Sequence, residues 1–399
     1  MKIGNWARLF LLASALVTAG FVAGSGDFWQ APSGTSATGC TTNCTTASSG
    51  NFYILNSGST PQIVGESVVS GTLTQLSGSP YPVTGVPYAL VISPSGSFLY
   101  VGSTAGIYLY PIASSGALGT ATNISSDQAF SMQVDSTGAW LVDAQQGTVG
   151  VQLDAIPITS TGTYVSGSPV KTVSFSIAGT AVQPGQLAIS SDNANVFVAL
   201  GAAGALVVPF DPGNPFPAGT PGSTIQVAHT GGSAVSVAVD PADRLFYVGE
   251  VLGDSAGTGG GLRVFDYSTL GGTLTQAAGS PFASGGLAPS FILPVATGDY
   301  VYVANGAGTS SGNIAGFTIT ATGTSTAPTY QVATGSTASA GILPDSLAED
   351  NTGAFVVGVN ASGSPYFDSF TFDTTTAGKL DPQITANTGS SPVAIVAAP

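Results

Sequence analysis

The sequence predicts an all-β fold, a seven-bladed β-propeller built of four-stranded antiparallel blades. Three observations lead there. A phrase of two apolar strands around a turn returns about every fifty residues, the composition is rich in glycine and poor in charge, and the two chain ends each hold part of one repeat.

The clearest copy of the phrase runs from Pro87 to Val101 (PYALVISPSGSFLYV), where Ala89, Val91, Phe98 and Tyr100 alternate with their neighbours around Ser93-Pro94-Ser95-Gly96. Such alternation marks strands, and Pro-Ser-Gly marks the hairpin between them. The same grammar returns at Val134 to Val142 (VDSTGAWLV), Val239 to Val248 (VDPADRLFYV) and Ala348 to Val357 (AEDNTGAFVV). Units begin near Pro87, Ala129, Pro184, Ala234, Pro289 and Pro344, at spacings of 42 to 55 residues. Further strands follow in each, such as Gly106 to Ile112, Gly261 to Tyr267 and Gly312 to Thr320. Two phrases far apart, Gly71-Thr72-Leu73-Thr74-Gln75 and Gly272-Thr273-Leu274-Thr275-Gln276, are nearly identical and point to internal duplication.

The last residues, Ser391 to Val396, match only the first strand of a unit, and Asn51 to Pro80 supplies its remaining strands. The two ends thus complete one blade, shared between the N- and C-terminal strands. Radial closure removes the exposed sheet edges that a long β-array would otherwise offer. A β-solenoid is the alternative, and it wants shorter and more constant repeats.

Of the 399 residues 43% are hydrophobic and only 7% are charged, with 55 glycines and 25 prolines. This is a composition of turns and β-surface, with almost no helix expected beyond the N-terminus. The formal net charge is −14. Two of the six basic residues, Lys2 and Arg8, precede Ser25, whereas all twenty acidic ones follow it, so a chain trimmed there carries four basic against twenty acidic groups, a net of −16. Such a surface repels nucleic acid and anionic lipid.

Residues 1–25 read as an export signal: Lys2 and Arg8, then an uncharged run from Leu9 to Gly24 (LFLLASALVTAGFVAG), then small residues. The run is marginal for spanning a bilayer, so anchoring is the alternative to cleavage. Ser25 stands where a lipoprotein box would carry its lipidated cysteine, which excludes thioether lipidation at that position. Residues 26–50 form a flexible Gly/Ser/Thr tail, and 51–399 the propeller. In the tail, Cys40 and Cys44 can close a small disulfide loop if the backbone bends enough, and export makes oxidation possible. Two cysteines and one remote histidine, His229, make no zinc set, so no metal and no cofactor are expected. Asp135, Asp240 and Asp350 each open a hairpin and are read as turn residues that accept backbone hydrogen bonds. The stretches around Asp240 and Asp243, and Glu349 and Asp350, lack the alternating loop of a known calcium motif.

The repeat resembles that of the lactonase-type seven-bladed propellers, the phosphogluconolactonase-like proteins and their relatives with Tyr-Val-x-Asn repeats. The residues that carry the likeness are Tyr53-Ile54-Leu55-Asn56, Tyr302-Val303-Ala304-Asn305, Tyr100-Val101-Gly102, Tyr247-Val248-Gly249-Glu250 and Pro94 to Val101. It covers about 51 to 399 and implies the fold more specifically than any activity. Lactonase-like members carry Pro-Arg-His on the first strand of a blade and Asn-Glu at the end of the second. Here Glu250 matches the acid, but its blade begins Ala234-Val235-Ser236, without the Arg and the His.

Aligned second-strand ends are Asn56, Ser103, Gln145, Leu200, Glu250, Asn305 and Asn360. In an antiparallel blade these share a face with the start of the first and third strands, so Asn56, Ser103, Asn305 and Asn360 are candidate ligand-binding residues around one mouth. The bland reading is that they close local loops by bonding backbone. One blade breaks this neutral ring with Glu250, and Arg263 opens its third strand while His229 precedes its first. The three form a candidate catalytic set, a base with help for an oxyanion, or else an ordinary ion pair beside a loop histidine. The glycine-rich stretch Gly253 to Gly261 is read as a flexible loop over that mouth.

The expectation is thus a monomeric, exported binding or interaction scaffold, in the periplasm, at the cell surface or secreted, with a small molecule, carbohydrate or protein as partner. Hydrolysis of a sugar lactone or related cyclic ester through Glu250 is the alternative function.

Overall fold

The computed structural model describes residues 50–398, apart from 70–71, 160, 178–181, 271–272, 307–310 and 325–326. The segments expected as export signal and tail lie outside the described residues, as do both cysteines, except that Gly50 opens the first strand. What is described is almost wholly strand, with one short 3-10 turn at Tyr267–Thr269 and no helix long and apolar enough to cross a membrane.

The strands form six sheets arranged in chain order around a channel. Pro392–Ala397 pairs antiparallel with Gly50–Asn56, which continues to Gln62–Val69 and Thr72–Gln75, with Tyr81–Pro82 added on Gln62–Val69. Four-stranded sheets follow, whose inner strands are Pro87–Ile92, Ser131–Val134, Leu187–Ile189 and Ser233–Val239. The sixth sheet has seven strands, from Ala288–Pro294 to Leu380–Ala386.

The expectation of seven four-stranded blades is therefore corrected: the propeller has five separate blades and one seven-stranded sheet. The cause is the 23-residue strand Ala327–Glu349. Its first part pairs with Ser311–Thr324 as an outer strand, and from Ile342 onward it pairs with Phe355–Ser362 as an inner one. Gly335, Gly341 and Pro344 look like breakers in the sequence, yet register shifts at Ser311/Asn313, Ala315/Phe317 and Pro344/Ser346 let the strand bend without ending. The first sheet also departs from four strands, having five.

Each sheet buries its two faces against two different neighbours. Tyr53 and Leu55 pack with Leu90, Leu99 and Val101 of the next sheet, while Phe52 and Ile54 pack with Val357, Val359 and Phe367 of the previous one. The core is thus a ring of inter-sheet layers, closed where the chain ends meet. The recurrent second-strand tyrosines Tyr53, Tyr100, Tyr247 and Tyr302 are fully buried in these layers. Tyr53 donates its hydroxyl to Gly116 O at 2.7 Å and Tyr100 donates to Gly162 O, each in an outer loop of the following sheet. Both glycines hold positive φ (81° and 94°), and a Cβ there would lie 2.6 Å from Asn51 Nδ2 and from Ser93 Cβ. The tyrosine and the glycine it meets are one packing device.

The inner strands present unpaired edges to their neighbours, and side chains fill the gap. Ser131 Oγ accepts Leu187 N–H at 2.8 Å and Gln133 Oε1 accepts Ile189 N–H at 2.9 Å. Ser236 donates to Pro289 O at 2.6 Å, Ser290 to Pro344 O at 2.5 Å, and Ser346 Oγ accepts Ile395 N–H at 3.2 Å. At the opposite end of the sheets the hairpin aspartates behave as read from sequence: Asp135 Oδ1 accepts from Ala139 and Trp140, and Asp350 Oδ1 from Ala354 and Phe355.

Glu349, beside that hairpin, accepts Ala296 N–H at 2.7 Å from the neighbouring turn. Burial, reinforced by the charge of Asp350, pushes its carboxyl up to about 7 against the opposing effect of that hydrogen bond. A carboxyl raised on folding contributes stability at acid pH that is lost as pH rises through its folded value. Glu349→Gln keeps an acceptor and does not titrate. We expect its melting temperature to match the wild type near pH 4.5 and to exceed it progressively up to and beyond pH 7, by about 2 kcal/mol of stability at most. Thermal unfolding of both proteins across that range checks the sign.

Candidate functional site

The second-strand ends lie where the sequence places them, and the structure gives their side chains structural partners. Asn56 is buried and donates to Thr388 O at 3.1 Å, and Asn305 donates to Ser284 O at 2.6 Å. In both cases the acceptor lies four residues before an inner strand, so the amide pins the incoming loop. Ser103 bonds its own turn, donating to Gly106 O and accepting from Ala105 N–H. Asn360 donates to Pro365 O and to Asp368, whose carboxylate also accepts Gly341 N–H. Gln145 bridges the carboxylates of Asp143 and Asp154. Asp143 is held well above the usual carboxylate range by burial and by Asp154.

Glu250 follows the same rule with charge reversed. It is fully buried, and its Oε2 accepts Ala228 N–H at 2.8 Å from the loop that leads into Ser233–Val239. Its Oε1 accepts from Arg263 Nη1 at 2.8 Å. Arg263 Nη1 also donates to Gln226 O at 2.7 Å, and the guanidinium stacks over Phe265 at 4.9 Å from the ring centroid. Both carboxylate oxygens are engaged, and the pair ties three segments together. The third member of the set stands apart: His229 Nε2 bonds Asp254 O at 2.8 Å, and no hydrogen bond joins it to Glu250 or Arg263. The stretch around Gly253 to Gly261 packs as a compact turn, with Gly257 against the His229 ring, where a Cβ would lie 3.1 Å from Cγ. The structure thus brings Glu250 and Arg263 together, and leaves His229 on the loop.

One space open to a ligand is the central channel, a cavity of about 990 Å³ walled by the inner strands. None of Asn56, Ser103, Glu250, Arg263, His229, Asn305 and Asn360 lines it. The residue that follows the opening Pro or Ala of each unit does: Tyr88, Phe130, Gly185, Val235, Ser290, Asp345 and Val393. Asp345 is the one charged side chain on this wall among the described residues. Sequence reading compared the second-strand ends and so missed it. The signal was present one strand earlier, because aligning the first strands puts a single carboxylate among neutral residues. Gln186 narrows the channel: its amide reaches past Ser233–Val239 to bond both Ile292 O and Ile292 N–H, at 3.2 and 3.3 Å.

Breaking a buried ion pair from one side leaves a charge without a partner, which typically costs about 3–5 kcal/mol. Arg263→Leu is expected to lower unfolding stability by that order. The double variant Glu250→Leu with Arg263→Leu should recover a large part of the loss, as judged by urea denaturation.

No protein-family model matches the chain, and no curated protein matches it by sequence. Solved structures do match it in fold. A candidate 6-phosphogluconolactonase from Bacteroides uniformis superposes with a TM-score of 0.65 at 18% identity, over 88% of this chain and 99% of that one. Another, from Bacteroides fragilis, gives 0.66 at 15%, over 90% and 99%. A protein from Lactobacillus plantarum gives 0.63 at 16%, over 88% and 99%. At these identities the likeness speaks for a lactonase-like β-propeller fold alone.

Proposed function

We propose that this lactonase-like propeller is an exported binding scaffold of the cell envelope or extracellular space, with its ligand site in the central channel. The observation that carries the reading is the sealing of Glu250: its carboxylate is fully buried, lies off the channel wall and is paired with Arg263, so a water in the channel does not reach it to give up a proton. The channel itself has no Lys, Arg or His on its wall among the described residues. It therefore offers neither a clamp for a phosphorylated sugar nor a cation for a developing oxyanion. Support for export is the leader-like segment 1–25 with its paired basic residues and uncharged run.

Lactone hydrolysis is the second reading, and what favours it is the naming of the Bacteroides neighbours as candidate 6-phosphogluconolactonases. A panel of sugar lactones with 6-phosphogluconolactone included separates the two. The scaffold reading expects no turnover above the uncatalysed rate with the purified protein. Turnover that falls in a folded Glu250→Gln variant would overturn it and restore the acid as a catalyst. For export, expression of the full chain in a bacterial host followed by fractionation and N-terminal sequencing should find a product outside the cytoplasm that begins near residue 25. A full-length product confined to the cytoplasm would sink that part.

A further inference from the structure

Five of the strands that wall the channel carry a register shift at the same place, just after the Pro or Ala that opens each unit. The extra residues are Tyr88, Val235, Ser290, Asp345 and Val393. A bulge residue leaves the hydrogen-bond ladder, and its side chain is re-aimed relative to the strand. Here all five line the cavity and are half-buried, while the Pro or Ala just before each is buried. The bulges thus place one residue of each of these five strands in the channel lining, beside others of the same strands.

Four of the five are neutral, and the fifth is Asp345. Among the described residues no donor bonds its carboxylate and no cation pairs with it, although burial pushes it up to about 6. A half-buried carboxylate without partners is a cost to the folded protein, and a bound cation removes it. Elsewhere on the cavity lining, the rings of Tyr88 and Phe130 meet in a tilted pair with centroids 4.6 Å apart at 34°, both half-buried. Aromatic faces attract an organic cation through the ring quadrupole, and a protein of net charge −14 draws cations toward its clefts.

We propose that the channel is a binding site for a small organic cation, a substituted ammonium whose charge sits at Asp345 and whose apolar body lies against Tyr88 and Phe130. This deepens the binding reading given above and rests on it. A divalent metal fits less well, because calcium wants six to eight oxygen ligands. The channel wall supplies one carboxylate among the described residues.

The test is isothermal titration of the full chain with benzyltrimethylammonium, benzyl alcohol, benzoate and calcium chloride. Binding of benzyltrimethylammonium to the wild type is expected, weakened about tenfold or more in Asp345→Asn and about threefold to fivefold in Tyr88→Leu. Benzyl alcohol should bind more weakly than the cation, and benzoate should not bind. Asp345→Asn removes a charge that no protein group uses, so its melting temperature should equal or exceed that of the wild type. If it nevertheless unfolds, Asp345→Glu should keep cation binding within about threefold while Tyr88→Leu still weakens it about threefold to fivefold. No binding of benzyltrimethylammonium, equal binding to wild type and Asp345→Asn, benzoate binding as well as the cation, or calcium binding that depends on Asp345 would each overturn the proposal. Lactone turnover with cation binding intact would sink the scaffold reading and leave this site standing, whereas absence of both sinks this proposal alone.

Discussion

The constraint on which the rest of the molecule depends is the inner edge of each sheet. A strand that faces a channel has one side without a ladder partner, and a buried backbone group without a partner costs about as much as a lost hydrogen bond. This chain meets the need with short polar side chains from adjacent inner strands. Ser131, Gln133, Ser236, Ser290 and Ser346 each bond the backbone of the next inner strand. Those links set how closely the sheets approach at the centre, and so set the width of the channel. The tyrosine hydroxyls of Tyr53 and Tyr100 do the equivalent work further out.

The same logic accounts for the place of Glu250 in the fold. A side chain at the end of the second strand is needed to pin the loop that enters the blade. Asn56 and Asn305 do this as donors to carbonyls, and Glu250 does it as an acceptor from Ala228 N–H. Reversing the polarity of the pin put a charge in the interior, and Arg263 balances it. The residue that stands out in sequence is thus a variant of a structural part. At the bulge residue Asp345, by contrast, no protein group among the described residues bonds the carboxylate.

The fold was legible because its signals are local. The alternation at Pro87–Ile92 and Phe98–Ser103, the turn Ser93 to Gly96 and the hairpin aspartates are short-range features, and the structure has them where they were read. The blade count was not legible, because whether Gly341 and Pro344 end a strand depends on what pairs on either side of them. At the site, the likeness in charge between Glu250 and a family acid was visible. The engagement of both its oxygens was not, since Ala228 and Arg263 reach it from separate loops and strands.

By itself the sequence determined an all-β ring of repeated units, joined at the chain ends, acidic, and devoid of a metal or nucleic-acid signature. Periodicity, turn residues and net charge are properties of neighbouring residues and of their sum, so they survive without coordinates. Tertiary structure alone decided that one strand runs through two units, that Glu250 is sealed in an ion pair, and that Asp345 faces the channel. Each of these turns on which edge of a strand is paired and on which side chains are re-aimed by a bulge, and only the packing of sheet against sheet fixes that.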